Sequence, residues 1–373
     1  MKRRITSLGK VAVATLALSL AACAAPEDEN TSTDATNSGQ DASQSPEDYM
    51  TDLIAKAQEE GTLNTIALPP DWANYGEIIS TFEEKYDIKV NSQLPSTDSQ
   101  TEIDTAKKLN GTDRAPDVFD LGQAVALANT DMFAPYKVQT WESIPDEFKH
   151  PEGLWVNDYG GFMSVGYDSN EVPEVTSLDD LLGPDFKGAV ALNGDPTAAA
   201  AAFTGVMMAS IVNGGSPDDI APGVEWFKKL KEAGNFLPVD PTPATIQAGQ
   251  TPVVIDWDYL TLAEGKNLPS WKVYVPEEAV VAGYYFQAIN KEAPHPNAAR
   301  LWQEFLYSDE GQNLWLEGGA RPVRADAMAE AGTINKAAFK ALPPVKGEPV
   351  IISDEQSTKG AEYLAEHWAE VAG

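Results

Sequence analysis

The polar and apolar positions divide the chain sharply near residue 45. From Ala24 to about Ser45 the residues are mostly Ser, Thr, Asn, Asp, Gln and Glu. Such a stretch cannot bury enough apolar surface to offset its ordering entropy, and it reads as a flexible stalk. At Ser45 the pattern changes. Ser45 can cap a helix, Pro46 suits the first helical position, and Glu47 and Asp48 complement the helix dipole. Tyr49, Met50, Leu53, Ile54 and Ala57 then recur at helical spacing until Gly61. Residues 63–68 read as a strand and 71–75 as a loop. A helix follows with Ile78, Ile79, Phe82 and Tyr86 on one face, then a strand over 88–94, a helix over 101–109 and a strand over 115–121.

The middle of the chain continues the alternation. Strands are predicted over 188–192, 251–257, 272–276 and 282–289, and helices from about Thr197 and over 223–233. Ala298, Leu301, Trp302, Phe305 and Leu306 mark one more helix face, and Trp302, Phe305 and Trp315 are assigned to the core. Strand–helix alternation argues an α/β fold with a largely parallel sheet. A chain of 373 residues exceeds what one core of about 250–300 residues usually serves, so two lobes are expected.

The first 22 residues change the picture. Lys2, Arg3, Arg4 and Lys10 precede an apolar run from Val11 to Ala22, which is too short for the ~20 residues of a spanning helix. Leu20-Ala21-Ala22-Cys23 follows, and Cys23 is the only cysteine. This segment resembles the leader and lipobox of a bacterial lipoprotein. The resemblance implies cleavage after 1–22, lipidation of Cys23, a 23–45 tether, and a protein held on the extracytoplasmic face of the membrane by its lipid alone. The net charge of −31 argues against a nucleic-acid partner. His150, His295 and His367 are scattered without metal-ligand spacing, and no metal or cofactor is expected.

Four stretches carry a second resemblance: Asp71-Trp72-Ala73-Asn74-Tyr75-Gly76 with the helix and strand after it; Ala115 to Asp120; Gly249 to Ile255; and His295-Pro296-Asn297-Ala298-Ala299 with Phe305, Leu306, Ser308 and Gln312. Together they resemble the solute-binding proteins of bacterial ABC importers, in the cluster of polyamine, ferric-iron, thiamine and phosphonate binders, with the spermidine/putrescine type nearest. The resemblance implies a type II periplasmic-binding-protein-like α/β fold. Residues 46–163 plus 282–343 would form lobe one and 164–281 lobe two. Two strands would cross near 161–167 and 283–290, with the ligand cleft between the lobes. The lobe on which a helical tail at 344–373 packs stays open. It further implies a monomer that delivers a small solute to a permease and ATPase, without catalysis.

Candidate ligand contacts lie where strands end. They are Trp72, Tyr75, Asp120, Asp195, Trp257, Tyr284 and Tyr285. Aromatic faces and carboxylates suit an organic ammonium, and Trp72, Tyr75, Asp195 and Trp257 fall where polyamine binders place such groups. Ala198 and the acid-free run Tyr284-Tyr285-Phe286 depart from that pattern. Each residue also has a structural reading: Trp72 and Trp257 as core, Tyr75 as packing, Asp120 and Asp195 as caps. Alternation sends Tyr284 and Tyr285 to opposite faces of their strand. Ferric iron, thiamine or an aminophosphonate are the other ligands left open, the last on the helix near Thr197. A secreted hydrolase is the competing class, since Gly161 to Gly166 lies one residue off a Gly-x-Ser-x-Gly elbow.

Overall fold

The computed structural model describes residues 45–343 and 345–372. The leader, Cys23 and the stalk up to residue 44 lie outside the described residues, as do residues 344 and 373. Helix α1 (Pro46–Glu60) begins and ends on the local signals. Ser45 Oγ accepts from the Asp48 amide at 3.1 Å, and Gly61 closes the helix at φ 69°. There follow β1 (Thr62–Ile66), α2 (Tyr75–Tyr86), β2 (Lys89–Gln93), α3 (Ser99–Leu109), β3 (Val118–Leu121), α4 (Gln123–Ala128) and β4 (Phe133–Ala134). The strand expected from Ala115 starts only at Val118. Pro116 has no N–H to give, and the Asp117 carboxylate accepts from the Asn64 amide at 2.6 Å and the His295 amide at 2.7 Å.

The chain then builds β5 (Val156–Asp168), β6 (Val190–Leu192), α5 (Ala200–Val212), α6 (Ala221–Glu232), α7 (Pro243–Gln247), β7 (Val253–Trp257), α8 (Asp258–Glu264), β8 (Trp271–Tyr274) and β9 (Val281–Asn290). It closes with α9 (Pro296–Leu306), α10 (Asp309–Glu317), β10 (Arg321–Pro322), α11 (Ala325–Ala331), α12 (Lys336–Ala341), β11 (Val350–Ile351), α13 (Asp354–His367) and α14 (Ala369–Ala372). Among the described residues no helix is long and apolar enough to cross a membrane.

Strand β5 organises the sheet because it changes partners along its length. Up to Phe162 it pairs with β9; from Met163 onward it pairs with β7, and β8 joins from Val165. The change falls at two glycines that let neighbours close in. A Cβ on Gly160 would sit 2.4 Å from the Gly283 carbonyl oxygen, and one on Gly161 2.5 Å from Asp258 Oδ1. Strand β9 also pairs with β3, β4 and β11. The largely parallel sheet read from the alternation is corrected: among the strand pairs of the described residues only β1–β2, β6–β7 and β9–β11 are parallel. Local periodicity shows where strands lie, but β9 enters antiparallel beside β3 from far along the chain.

The core forms as the stripes require. Trp302, Phe305 and Trp315 are fully buried, and Phe82 meets Trp302 edge-on at 5.0 Å.

Candidate functional site

Three strands end on one cavity. The turn after β3 brings Gly122 to Val125 and the start of α4. The turn after β6 brings Pro196 to Ala200 and the start of α5. Strand β7 brings Trp257, and Tyr284 and Tyr285 come from β9. Loops at strand ends converge in this way in α/β folds. The cavity holds about 90 Å³, enough for a few waters, and is completed by Ile352, Ser357 and Ala361 from the C-terminal segment.

Of the seven residues expected at a cleft, Trp257, Tyr284 and Tyr285 border this cavity. The two tyrosines diverge as alternation requires. The Tyr284 ring lies on Phe148 at 4.5 Å, whereas the Tyr285 ring stacks on Tyr159 at 5.6 Å and meets Trp72 edge-on at 5.9 Å.

Trp72, Tyr75 and Asp120 sit behind the wall in a hydrogen-bonded cluster. Trp72 Nε1 donates to the Tyr159 hydroxyl at 2.6 Å. The Tyr75 hydroxyl donates to Asp120 Oδ2 at 2.8 Å and accepts from Gln287 Nε2 at 3.0 Å. Tyr75 is wholly buried, does not border the cavity, and directs its hydroxyl to Asp120. Burial pushes Asp120 up to about 7, although the Tyr75 and Tyr159 hydroxyls hold it down, and its Oδ1 has no partner. Tyr259 completes the cluster beside Trp72 at 6.2 Å and Tyr159 at 5.7 Å, and its buried hydroxyl is unpartnered. Tyr259 follows the β7 strand end that the sequence marks as polar and aromatic, whereas Tyr159, in Asn157-Asp158-Tyr159-Gly160, lies within β5 and carries no strand-end signal.

Asp195 does not border the cavity. Its exposed carboxylate accepts from the Thr197 amide at 2.8 Å and the Thr197 hydroxyl at 2.7 Å, closing a turn instead of capping α5 or entering the cavity. The helix starts later than expected, at Ala200. Its N-cap is Ala199, which offers no side-chain acceptor.

The wall therefore offers donors and ring faces, and among the described residues no charged side chain lines it. The thirteen-residue α5 points an uncapped N-terminus at it. Trp257 Nε1 is buried, and it faces the Tyr285 hydroxyl without closing a well-formed hydrogen bond. Ser99, Gln123, Thr197 and Thr204 supply further polar groups. Ser164 is buried in mid-strand and donates to the Asp256 carbonyl at 2.8 Å, so Gly161 to Gly166 is a crossing strand and not a strand-to-helix elbow. Among the described residues no group of three His, Cys, Asp or Glu is placed to hold a metal ion.

A model of the family described as bacterial extracellular solute-binding protein matches residues 116–343. No curated protein matches the sequence. Among solved structures, the chain is similar to the periplasmic binding protein AgtB of A. tumefaciens R10 in complex with agropinic acid. Identity is 16% and the TM-score 0.66, over 84% of this chain and 98% of that one. It is similar to iron-bound HitA of Pseudomonas aeruginosa at 19% identity and TM-score 0.62, over 83% and 99%. It is likewise similar to AfuA of Actinobacillus pleuropneumoniae with exogenous fructose-6-phosphate bound, at 15% identity and TM-score 0.60, over 82% and 98%. At these identities the likeness concerns the fold, which is the two-lobed α/β fold of periplasmic binding proteins.

Proposed function

The chain belongs to the bacterial extracellular solute-binding proteins, and from that premise we propose that it is the solute receptor of an ABC importer. It captures a small organic anion and hands it to a permease and its ATPase. The observation that carries the ligand class is the uncapped N-terminus of α5, aimed at a cavity whose lining has no charged side chain. An anionic group would take the α5 amides and Trp257 Nε1. Its carbon body would lie on the Trp257 and Tyr285 rings. Two of the three similar structures named above hold ligands that are by name an acid and a phosphate, agropinic acid and fructose-6-phosphate, while the third is iron-bound.

The lobes are proposed as 46–163 with 282–343, and 164–281, in keeping with the partner change of β5 after Phe162. Closure of these lobes would bury the solute. The receptor acts as a monomer, performs no catalysis, and is tethered through a lipid on Cys23 after removal of residues 1–22.

A polyamine-like organic cation is the second reading. Its support is the buried, unpartnered Oδ1 of Asp120 behind the rings, together with Asp256 close by. A thermal-shift panel separates the readings. Ligand at about a hundred times its dissociation constant stabilises by ~2.7 kcal/mol. Fructose 6-phosphate, agropinic acid or an aminophosphonate is expected to raise the melting temperature. A shift with putrescine, spermidine, thiamine or ferric citrate alone would overturn the anion reading.

A further inference from the structure

We propose that the C-terminal segment, residues 345–372, is the outer wall of this cavity and latches it shut, so that Ile352, Ser357 and Ala361 help to select the solute. The selection clause rests on the function proposed above; the latch stands on contacts alone. The family match ends at residue 343, so the wall comes from outside it. The segment first adds β11 in parallel to Val281 and Ala282 of β9, beside Gly283 at the cavity. It then runs as α13 between α4 and α6 and ends in α14 against α6.

Its two attachments differ in kind. On the α5–α6 side the anchor has an apolar centre. Leu364, Trp368 and Val371 are buried, and Trp368 meets Phe227 edge-on at 5.4 Å. Gly360 lies so close to Phe203 that a Cβ would come within 2.9 Å of the ring, and Phe203 itself lines the cavity. Lys228 pairs with Glu370 at 2.6 Å. On the α4 side the hydrogen bonds come from one side chain. Gln123 Nε2 donates to the Ile352 carbonyl at 2.9 Å and to Asp354 Oδ1 at 3.1 Å. Gln356 Nε2 also donates to Asp218 Oδ2 at 3.2 Å on the α5–α6 side, so apolar packing and polar contacts hold the segment to α6, while the Gln123 bonds latch it to α4. When α4 and α5 separate, the Gln123 bonds part and the segment stays with α6. Ile352 then presents an apolar edge to the solute, Ser357 a hydroxyl and Ala361 a small surface.

Hydrogen exchange of the chain without added solute tests the latch. Two surface hydrogen bonds shift a two-state population by about tenfold. Gln123→Ala is therefore expected to lower protection of amides 197–204 and 282–285 by about tenfold, and a chain ending at Ala341 to lower it further. Unchanged protection in Gln123→Ala overturns the latch, even where the shortened chain fails to fold. Ala361→Trp tests the wall. It is expected to weaken binding of fructose 6-phosphate or putrescine, whichever the parent takes up, by more than about tenfold. Equal affinity overturns the wall. A parent that binds neither solute counts against the proposed function and removes the selection role with it, while the exchange result still decides the latch.

Discussion

Asp256 shows how burial at one residue sets a property of the whole chain. Its carboxyl is enclosed, and burial pushes it up to about 7, while Asn193 and the Trp257 amide hold it down. An exposed Asp titrates near 4. The folded form therefore holds a proton that the unfolded chain has released between about pH 4 and 7. Stability from this group is complete below pH 4 and is lost as the pH rises through 7. Asp256→Asn is predicted to match the parent near pH 4 and to exceed it at pH 8 by up to ~4 kcal/mol. Melting curves at both pH values check this; parallel losses in the two proteins would contradict it. Gly283 is a second sensitive position. A Cβ there would lie 2.1 Å from Trp257 Cη2. Gly283→Ala is predicted to displace the indole and cost ~1–3 kcal/mol, measured by denaturant unfolding, with solute affinity falling in parallel.

At the scale of elements, β10 is tied to the start of α8 by one buried ion pair. Arg321 Nη1 lies 2.5 Å from Asp258 Oδ2, and the Asp258 side chain is fully enclosed. Asp258 also accepts from the Phe162 amide at 3.0 Å, at the point where β5 changes partners. Burial raises the Asp258 pKa, and Arg321 opposes the rise. Arg321→Ala would leave that carboxyl without its cation and is predicted to destabilise by ~3–5 kcal/mol. Asp258→Asn in the same chain is predicted to recover part of the loss, and an additive double mutant would contradict the pairing. Elements written in local chemistry were legible in the sequence. Helix α1 has cap, proline, stripe and glycine within seventeen residues, and the α9 stripe fixed Trp302 and Phe305 as core. The direction of β9 and the late start of α5 were not legible. The first depends on a partner far away in the chain, and the second on Asp195 spending its oxygen on Thr197.

For the whole molecule, the cavity is made by residues distant in sequence, which explains the uneven reading of the site. Trp257, at the end of β7, and Tyr285, within β9, are aromatic residues that the sequence makes conspicuous, and both border the cavity. Tyr75 and Asp120 share that signature yet turn to each other behind the wall. Ser357 and Ala361 carry no motif, and only the path of α13 brings them to the cavity. Trp72 spans the cluster to Tyr259, across the proposed lobe boundary. Trp72→Ala is predicted to loosen the closed arrangement, seen as a larger radius in solution scattering. An unchanged radius would return Trp72 to a local packing role.

The most direct test replaces Ala199 with Asp and titrates the panel solutes by calorimetry. The new carboxylate supplies the missing cap of α5, which stabilises a helix by ~1 kcal/mol, and it sets a negative charge on the cavity wall. The account predicts a melting temperature at least equal to the parent's and about a hundredfold loss of affinity for the organic anion. Unchanged anion affinity in the variant, or a parent that binds putrescine and no anion, would contradict it.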